Sequence, residues 1–252
     1  MEPSNNRPQF MSIPGAIIIA ATIIAIAVVY AFHPASKNTD ATTENTPQIP
    51  TLTMAPITST DHIYGNPNAQ IKIVEYSDPS CPFCKMFNPT MQQVMSTYGP
   101  SGQVAWVYRS FPLDKPDQNG NILHPNAGHE AQALECAAFV GGNDKFWSFE
   151  QKWYDQFPLQ GSTDRSVTDD SAQLVAIAKA VGLDQTTFND CLSSGQLKSK
   201  VDAQYTDGIN VGVSGTPYNV IITPDGTKIP LAGAVSFATL KNTIDTLLTE
   251  VK

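Results

Sequence analysis

The sequence predicts an α/β domain with a helical insertion, carried behind one N-terminal transmembrane helix. Three observations carry this: an uncharged apolar run near the N-terminus, a strand-helix-strand pattern over residues 71–109, and a long helical stretch that gives way to a hairpin and a last helix. The apolar run, residues 13–32 (IPGAIIIAATIIAIAVVYAF), has no charged side chain. At about 1.5 Å per residue such a helix reaches roughly 30 Å, the thickness of a bilayer core. Its apolar residues surround the whole helix and leave no polar face, which argues against a helix buried in a soluble domain. A cleaved signal peptide is the competing reading, with Ala25-Ile26-Ala27 as its cleavage site, and the length of the run favours a retained anchor. Residues 1–12 then form a cytoplasmic N-terminus. Residues 33–60, crowded with Thr, Pro, Asn and Ser and without apolar periodicity, read as a flexible tether. Arg7 on one side of the anchor and Lys37 on the other leave its orientation open.

The folded part spans 61–252. The β-branched run Ile71–Tyr76 predicts a strand, and Gln103–Arg109 predicts another. Between them Phe87, Met91, Val94, Met95 and Tyr98 recur at helical spacing, and Gly99-Pro100 ends the helix. This is a βαβ unit, the connection that a parallel strand pair requires. The insertion, about 123–210, is punctuated by Gly141-Gly142, a loop over 158–168, Gly182 and Gly195. Within it Asp170 or Ser171 can cap a helix whose Leu174, Ile177, Ala178 and Val181 share one face, and Asp184 can start the next. Strand pattern returns at Tyr218–Thr223, turns at Pro224-Asp225-Gly226 and resumes to Leu231. The last helix sets Phe237, Leu240, Ile244, Leu247 and Val251 on one face.

Composition narrows the function. The chain has 252 residues and a formal net charge of -8, which disfavours a nucleic-acid partner because phosphate binding needs clustered Lys and Arg. Its four cysteines are too few for a disulfide-stapled miniprotein, and three pairings are open.

Cys81-Pro82-Phe83-Cys84 follows a predicted strand and opens a predicted helix. The unpaired amides at a helix start stabilise a thiolate, so Cys81 is expected to be an accessible nucleophile. Cys84, one turn further in, is expected to be more buried and to attack any mixed disulfide formed at Cys81. Pro82 suits the first turn, where its missing N-H is not needed, and Phe83 adds apolar surface without charge. The alternative, half of a structural zinc site, needs two more ligands and usually draws a second Cys pair at similar spacing, which the sequence lacks, although His124 and His129 could in principle complete a site. Redox chemistry with no metal and no bound cofactor is the better fit. Glu75 shares a strand face with Ile71 and Ile73, an expensive position for a carboxylate, so its pKa is expected to be raised and its role that of a proton acceptor or electrostatic tuner. A Glu at the sheet edge reaching solvent is the plainer alternative. Thr216-Pro217 precedes the later strand; an X-Pro bond is cis only about 5% of the time, so the residues alone predict trans.

Taken together, Val74-Glu75-Tyr76, Cys81-Pro82-Phe83-Cys84, Phe111-Pro112-Leu113, His124-Pro125, Glu135-Cys136-Ala137 and Gly215-Thr216-Pro217 resemble the DsbA-like branch of the thioredoxin superfamily over about 61–252. The element order is also that of the thioredoxin fold with a helical insertion. The resemblance implies a cis Pro217 facing the cysteine pair, Thr216 contacting substrate, a bend at Pro89 and a buried acid at Glu75. It further implies a second disulfide, Cys136 with Cys191; two buried free thiols are the alternative. Such a disulfide would need an oxidising compartment and would fix the anchor's orientation. Many oxidase members carry His between the cysteines, where Phe83 stands here, which implies a weaker oxidant. Isomerase members often carry Thr before the cis-proline but add a dimerisation domain, for which 33–60 is too short.

The function expected from this is an extracytoplasmic dithiol oxidase, on the periplasmic or cell-wall side of a bacterial cytoplasmic membrane. It would introduce disulfides into unfolded secreted proteins with free thiols and be reoxidised by a quinone-linked membrane oxidase. The rivals are a reductase or isomerase using the same pair, and a non-catalytic chaperone or metal-delivery module.

Overall fold

The computed structural model describes residues 52–156 and 170–250. The apolar run 13–32, most of the predicted tether and the 158–168 loop lie outside the described residues. Among the described residues, no helix is long and apolar enough to cross a membrane.

Five strands form one sheet: β1 (His62–Gly65), β2 (Ile71–Ser77), β3 (Val104–Ser110), β4 (Tyr218–Ile222) and β5 (Lys228–Ala232), in the order β1-β3-β2-β4-β5. β2 and β3 run parallel, joined through helix α1 (Pro82–Tyr98), and the other neighbours pair antiparallel. Helices α2 (Ala127–Gly141), α3 (Asn143–Gln156), α4 (Ser171–Ala180), α5 (Gln185–Ser194) and α6 (Lys198–Val211) make up the insertion. Helix α7 (Phe237–Glu250) closes the fold.

Alternation along the strands divides the core in two. Ile71 and Ile73 of β2, Trp106 and Tyr108 of β3 and Ile221 of β4 pack with α1, α7 and the insertion helices. Val74, Tyr76, Val107 and Val220 point the other way, against Phe111, Val211, Val213 and Met54. Gly208 of α6 lies flat on this second core: a Cβ there would stand 2.4 Å from Phe111 Cδ2 and 3.2 Å from Tyr76 Cδ1.

Two features depart from the expected organisation. β1 carries no alternating apolar pattern and was not predicted; it is a four-residue edge strand paired only with β3. The expected tether reaches 60, yet residues 54–60 are part of the folded unit. Met54 is buried, Ala55 N donates to Asp207 Oδ1 at 2.6 Å, and Arg109 donates to the carbonyls of Ala55 and Pro56 at 3.1 Å each. The guanidinium also binds Asp61 Oδ1 at 2.8 Å and Asp207 Oδ2 at 2.6 Å. Carbonyls have no hydropathy signature, so a segment held mainly through its backbone reads as a linker.

Cys136 of α2 and Cys191 of α5 form a disulfide, their Cα atoms 5.8 Å apart across a separation of 55 residues. It ties two insertion helices together inside the first core. The Cys136→Ala/Cys191→Ala double variant should lose about 2–5 kcal/mol, read as a lower urea midpoint. Gly208→Ala should lose about 1–2 kcal/mol in the same assay, because displacing Phe111 outweighs the better helix propensity of Ala.

Candidate active site

β2 ends at Ser77, and a tight turn over 78–81 sends the chain into α1. Asp78 shapes that turn. Its Oδ1 accepts from Ser80 N at 2.6 Å, its carbonyl accepts from Cys81 N at 2.9 Å, and its own N-H reaches Cys84 Sγ at 3.5 Å. Its Oδ2 accepts from Leu113 N at 2.8 Å and meets His124 Nδ1 at 2.7 Å. From α3, Trp153 Nε1 donates to the Pro79 carbonyl at 2.9 Å and Tyr154 Oη to the Asp78 carbonyl at 3.3 Å. Ser80 Oγ donates to Glu130 Oε2 of α2 at 2.6 Å.

This turn makes Cys81 the N-cap of α1, with φ -82 and ψ 122, and puts Pro82 at the first helical position. Pro89 sits further along the same helix without ending it. Cys81 and Cys84 are free thiols here. Cys84 is fully buried, as expected for the inner sulfur, but Cys81 is only 3% exposed, against the expectation of an accessible one. The reason is tertiary: the Thr216 carbonyl lies 3.4 Å from Cys81 Sγ. The Thr216-Pro217 peptide is cis. Phe83 and Met86 stand at the rim of the site, 59% and 56% exposed.

The electrostatics separate the two sulfurs. The Cys84 thiol, donating to the Cys81 thiolate, lowers the Cys81 pKa to about 6; the Thr216 side chain and the Cys84 backbone N-H add to this, against burial and the Asp78 charge. The helix start contributes, as expected, yet the neighbouring thiol contributes more. Burial, with the Cys81 and Glu75 charges, drives Cys84 the other way, well above the ordinary thiol range. Glu75 is buried on the face of Ile71 and Ile73, and Trp106 Nε1 donates to its Oε2 at 3.0 Å. Burial lifts its pKa to about 7 despite that bond.

The structure thus brings Cys81, Cys84, Glu75, Thr216 and Pro217 together and sets Cys136 and Cys191 apart in the insertion. His124 lies against Asp78, and His129 Nδ1 lies 2.7 Å from Asp170 Oδ1. Among the described residues, no cluster of His, Cys, Asp or Glu could hold a metal ion. Asp78, Glu130 and Glu150 escaped the sequence reading. The one available signal was proximity of Asp78 to Cys81, which does not distinguish a turn carboxylate from a solvated one.

A family described as Thioredoxin matches residues 57–246. The crystal structure of Pseudomonas aeruginosa DsbA2 is 28% identical with a TM-score of 0.57, covering 74% of this chain and 94% of that one. BdbD from Bacillus subtilis, in its oxidised crystal form, is 20% identical with a TM-score of 0.62, covering 79% of this chain and 98% of that one, and shows the fold. Among curated relatives, the probable disulfide bond formation protein D of Bacillus cereus is 26% identical over 160 residues, 63% of this chain and 68% of that protein. The Na(+)/H(+) antiporter NhaA 1 of Mycolicibacterium gilvum is 33% identical over 94 residues, 37% of this chain, and that match spans only 13% of the antiporter's length. With the family match running across nearly the whole described fold and a Cys-Pro-Phe-Cys turn at its heart, the chain belongs to the thioredoxin family and is similar to DsbA2 of Pseudomonas aeruginosa.

Proposed function

We propose that the chain is a dithiol oxidase acting on unfolded proteins through Cys81 and Cys84. The observation that carries this reading is the opposed tuning of the two sulfurs, one pushed down to about 6 and its neighbour pushed well up. A substrate thiolate attacks Cys81 of the oxidised pair, forming a mixed disulfide and releasing Cys84. A second substrate thiolate attacks the substrate sulfur, and Cys81 departs as a thiolate. Stabilising that thiolate favours the reduced enzyme, so the oxidised enzyme gives up its disulfide readily. The electrons move between sulfurs, and the chemistry calls for no further cofactor.

The remaining roles follow the geometry. Thr216 and Pro217 lie over Cys81, placed to hold an incoming chain beside the sulfur, and the exposed Phe83 and Met86 offer it apolar contact. Glu75, near neutrality, exchanges a proton with Cys84. The name of the Bacillus cereus relative, a disulfide bond formation protein, supports the oxidative direction. The buried Cys136-Cys191 disulfide supports an oxidising compartment outside the cytoplasm. Residues 13–32 would hold the domain at the membrane there, and a quinone-linked membrane oxidase would reoxidise it, at an effective concentration raised by the tether.

Trapping the thiols of living cells with acid and an alkylating agent tests the direction. Cys81 and Cys84 should be found mainly oxidised, and Cys84→Ser should accumulate mixed disulfides through Cys81. A mainly reduced pair at steady state would instead assign the chain to reduction or isomerisation.

The lowered thiol also makes a pH prediction. A group whose folded pKa is depressed stabilises the fold above its unfolded value and loses that contribution as pH falls to the folded value. The stability of the reduced protein relative to the oxidised one should therefore rise between pH 6 and 9, by about 1.4 kcal/mol per pH unit at most. Urea unfolding of both forms across that range measures it, and the thiolate absorbance of the reduced protein should show a midpoint near 6.

A further inference from the structure

Helix α3 carries a carboxyl that the scheme above leaves unused. Glu150 is 1% exposed. Its Oε1 accepts from Asn88 Nδ2 at 2.5 Å, and its Oε2 is buried without a hydrogen-bond partner among the described residues. Asn88 lies one turn beyond Cys84 on the buried face of α1. Tyr154 lies one turn beyond Glu150 on α3 and donates to the Asp78 carbonyl, beside the Asp78 N-H that reaches Cys84. Glu150 thus bonds to the helix that carries Cys84 and lies one turn from the tyrosine that holds the turn before it.

The titratable groups that face it come from three elements. They are Glu75 of β2, Tyr108 of β3, and Tyr154 and Asp155 of α3 itself. Cys84 of α1 faces both tyrosines, and Lys85, at the outer start of α1, faces Asp155. Tyr108 Oη, like Glu150 Oε2, is buried without a hydrogen-bond partner among the described residues. Burial, with a neutral amide as its hydrogen-bond donor and a second acid acting on it, favours the protonated form of such a carboxyl. Burial and the Glu75 charge accordingly raise its pKa well above the ordinary 4.5.

We propose that Glu150 is a positioning residue that forms, with Glu75, a buried acid pair keeping a proton in reserve for Cys84. The inference rests on the Cys81-Cys84 exchange proposed above. When a substrate thiolate bonds to Cys81 Sγ, the bond between the two cysteine sulfurs breaks and the electron pair leaves on Cys84 Sγ. That sulfur is fully buried, so it takes a proton from Glu75, giving a thiol and one carboxylate. Glu150 keeps its proton while Glu75 is charged, because the Glu75 charge opposes a second one on the buried Glu150. The pair thus releases its protons in two steps, and one proton stays available above the pH at which Glu75 alone would be empty.

Opening of the oxidised full chain by glutathione, followed by tryptophan fluorescence and corrected to glutathione thiolate, tests this across pH. In Glu150→Gln, which keeps an acceptor for Asn88, the alkaline limb should move down by about one pH unit, a roughly tenfold slower reaction on that limb. The Cys81 thiolate midpoint should stay where it is. The infrared spectrum of the oxidised variant should lose one protonated-carboxyl band, whereas the band that Glu75 loses on reduction should remain. An unchanged pH profile in Glu150→Gln would overturn the proposal, as would a profile that merely tracks a moved Cys81 midpoint. Should the variant not fold, the wild-type chain decides: with ¹³C-labelled Glu side chains, Glu150 and Glu75 should titrate as a coupled pair, and a Glu150 titrating alone near 4.5 refutes it. If glutathione does not open the wild-type pair at all, the proposed function fails, whereas the carboxyl titration still reads Glu150.

Discussion

The carboxylate of Asp78, buried at the end of β2, is the constraint on which the rest of the site depends. A charge in that position is costly unless both of its oxygens are hydrogen-bonded. Here Ser80 N, Leu113 N and His124 bond to them, so one side chain ties the end of the strand, the loop after β3 and the approach to α2 into one cluster. The backbone of the same residue receives Cys81 N and Tyr154 Oη and donates to Cys84 Sγ. The first cysteine is thereby held at the helix cap and the second beneath it, before any substrate arrives.

The two faces of the sheet treat charge in opposite ways. On one face Arg109 meets Asp61 and Asp207, Tyr76 Oη donates to Asp207 at 2.5 Å, and the charges persist because each is paired. On the other face Trp106 donates to Glu75 and Asn88 to Glu150, neither donor is charged, and burial favours the protonated forms of both acids. Alternation along β2 is enough to send Tyr76 to the first environment and Glu75 to the second. A structural ion network and a titrating site can therefore sit one residue apart.

The insertion is more than a cover for the sheet. Through Glu150, Trp153 and Tyr154, α3 reaches Asn88 of the active-site helix and the carbonyls of the turn before it. The Cys136-Cys191 disulfide secures α2, the helix packed beside α3, to α5. A covalent link remote from the redox pair thus stiffens the layer that backs it.

Much of this was legible in the residues. The β-branched runs of β2 and β3, the apolar spacing of α1 and the glycines that end the insertion helices are local signals, and the elements fall within a residue or two of where those signals end. The cysteine spacing marked the candidate site, and alternation placed Glu75 inside. Burial of Cys81 under the Thr216 carbonyl, ordering of residues 54–60 around Arg109, and the meeting of Glu150 with Asn88 had no such signal. Each joins groups far apart in the chain, 135, 54 and 62 residues in the examples cited, through polar contacts that leave no periodicity behind. Local order along a chain determines which faces are apolar; only the packed fold decides which polar groups are left to meet between them.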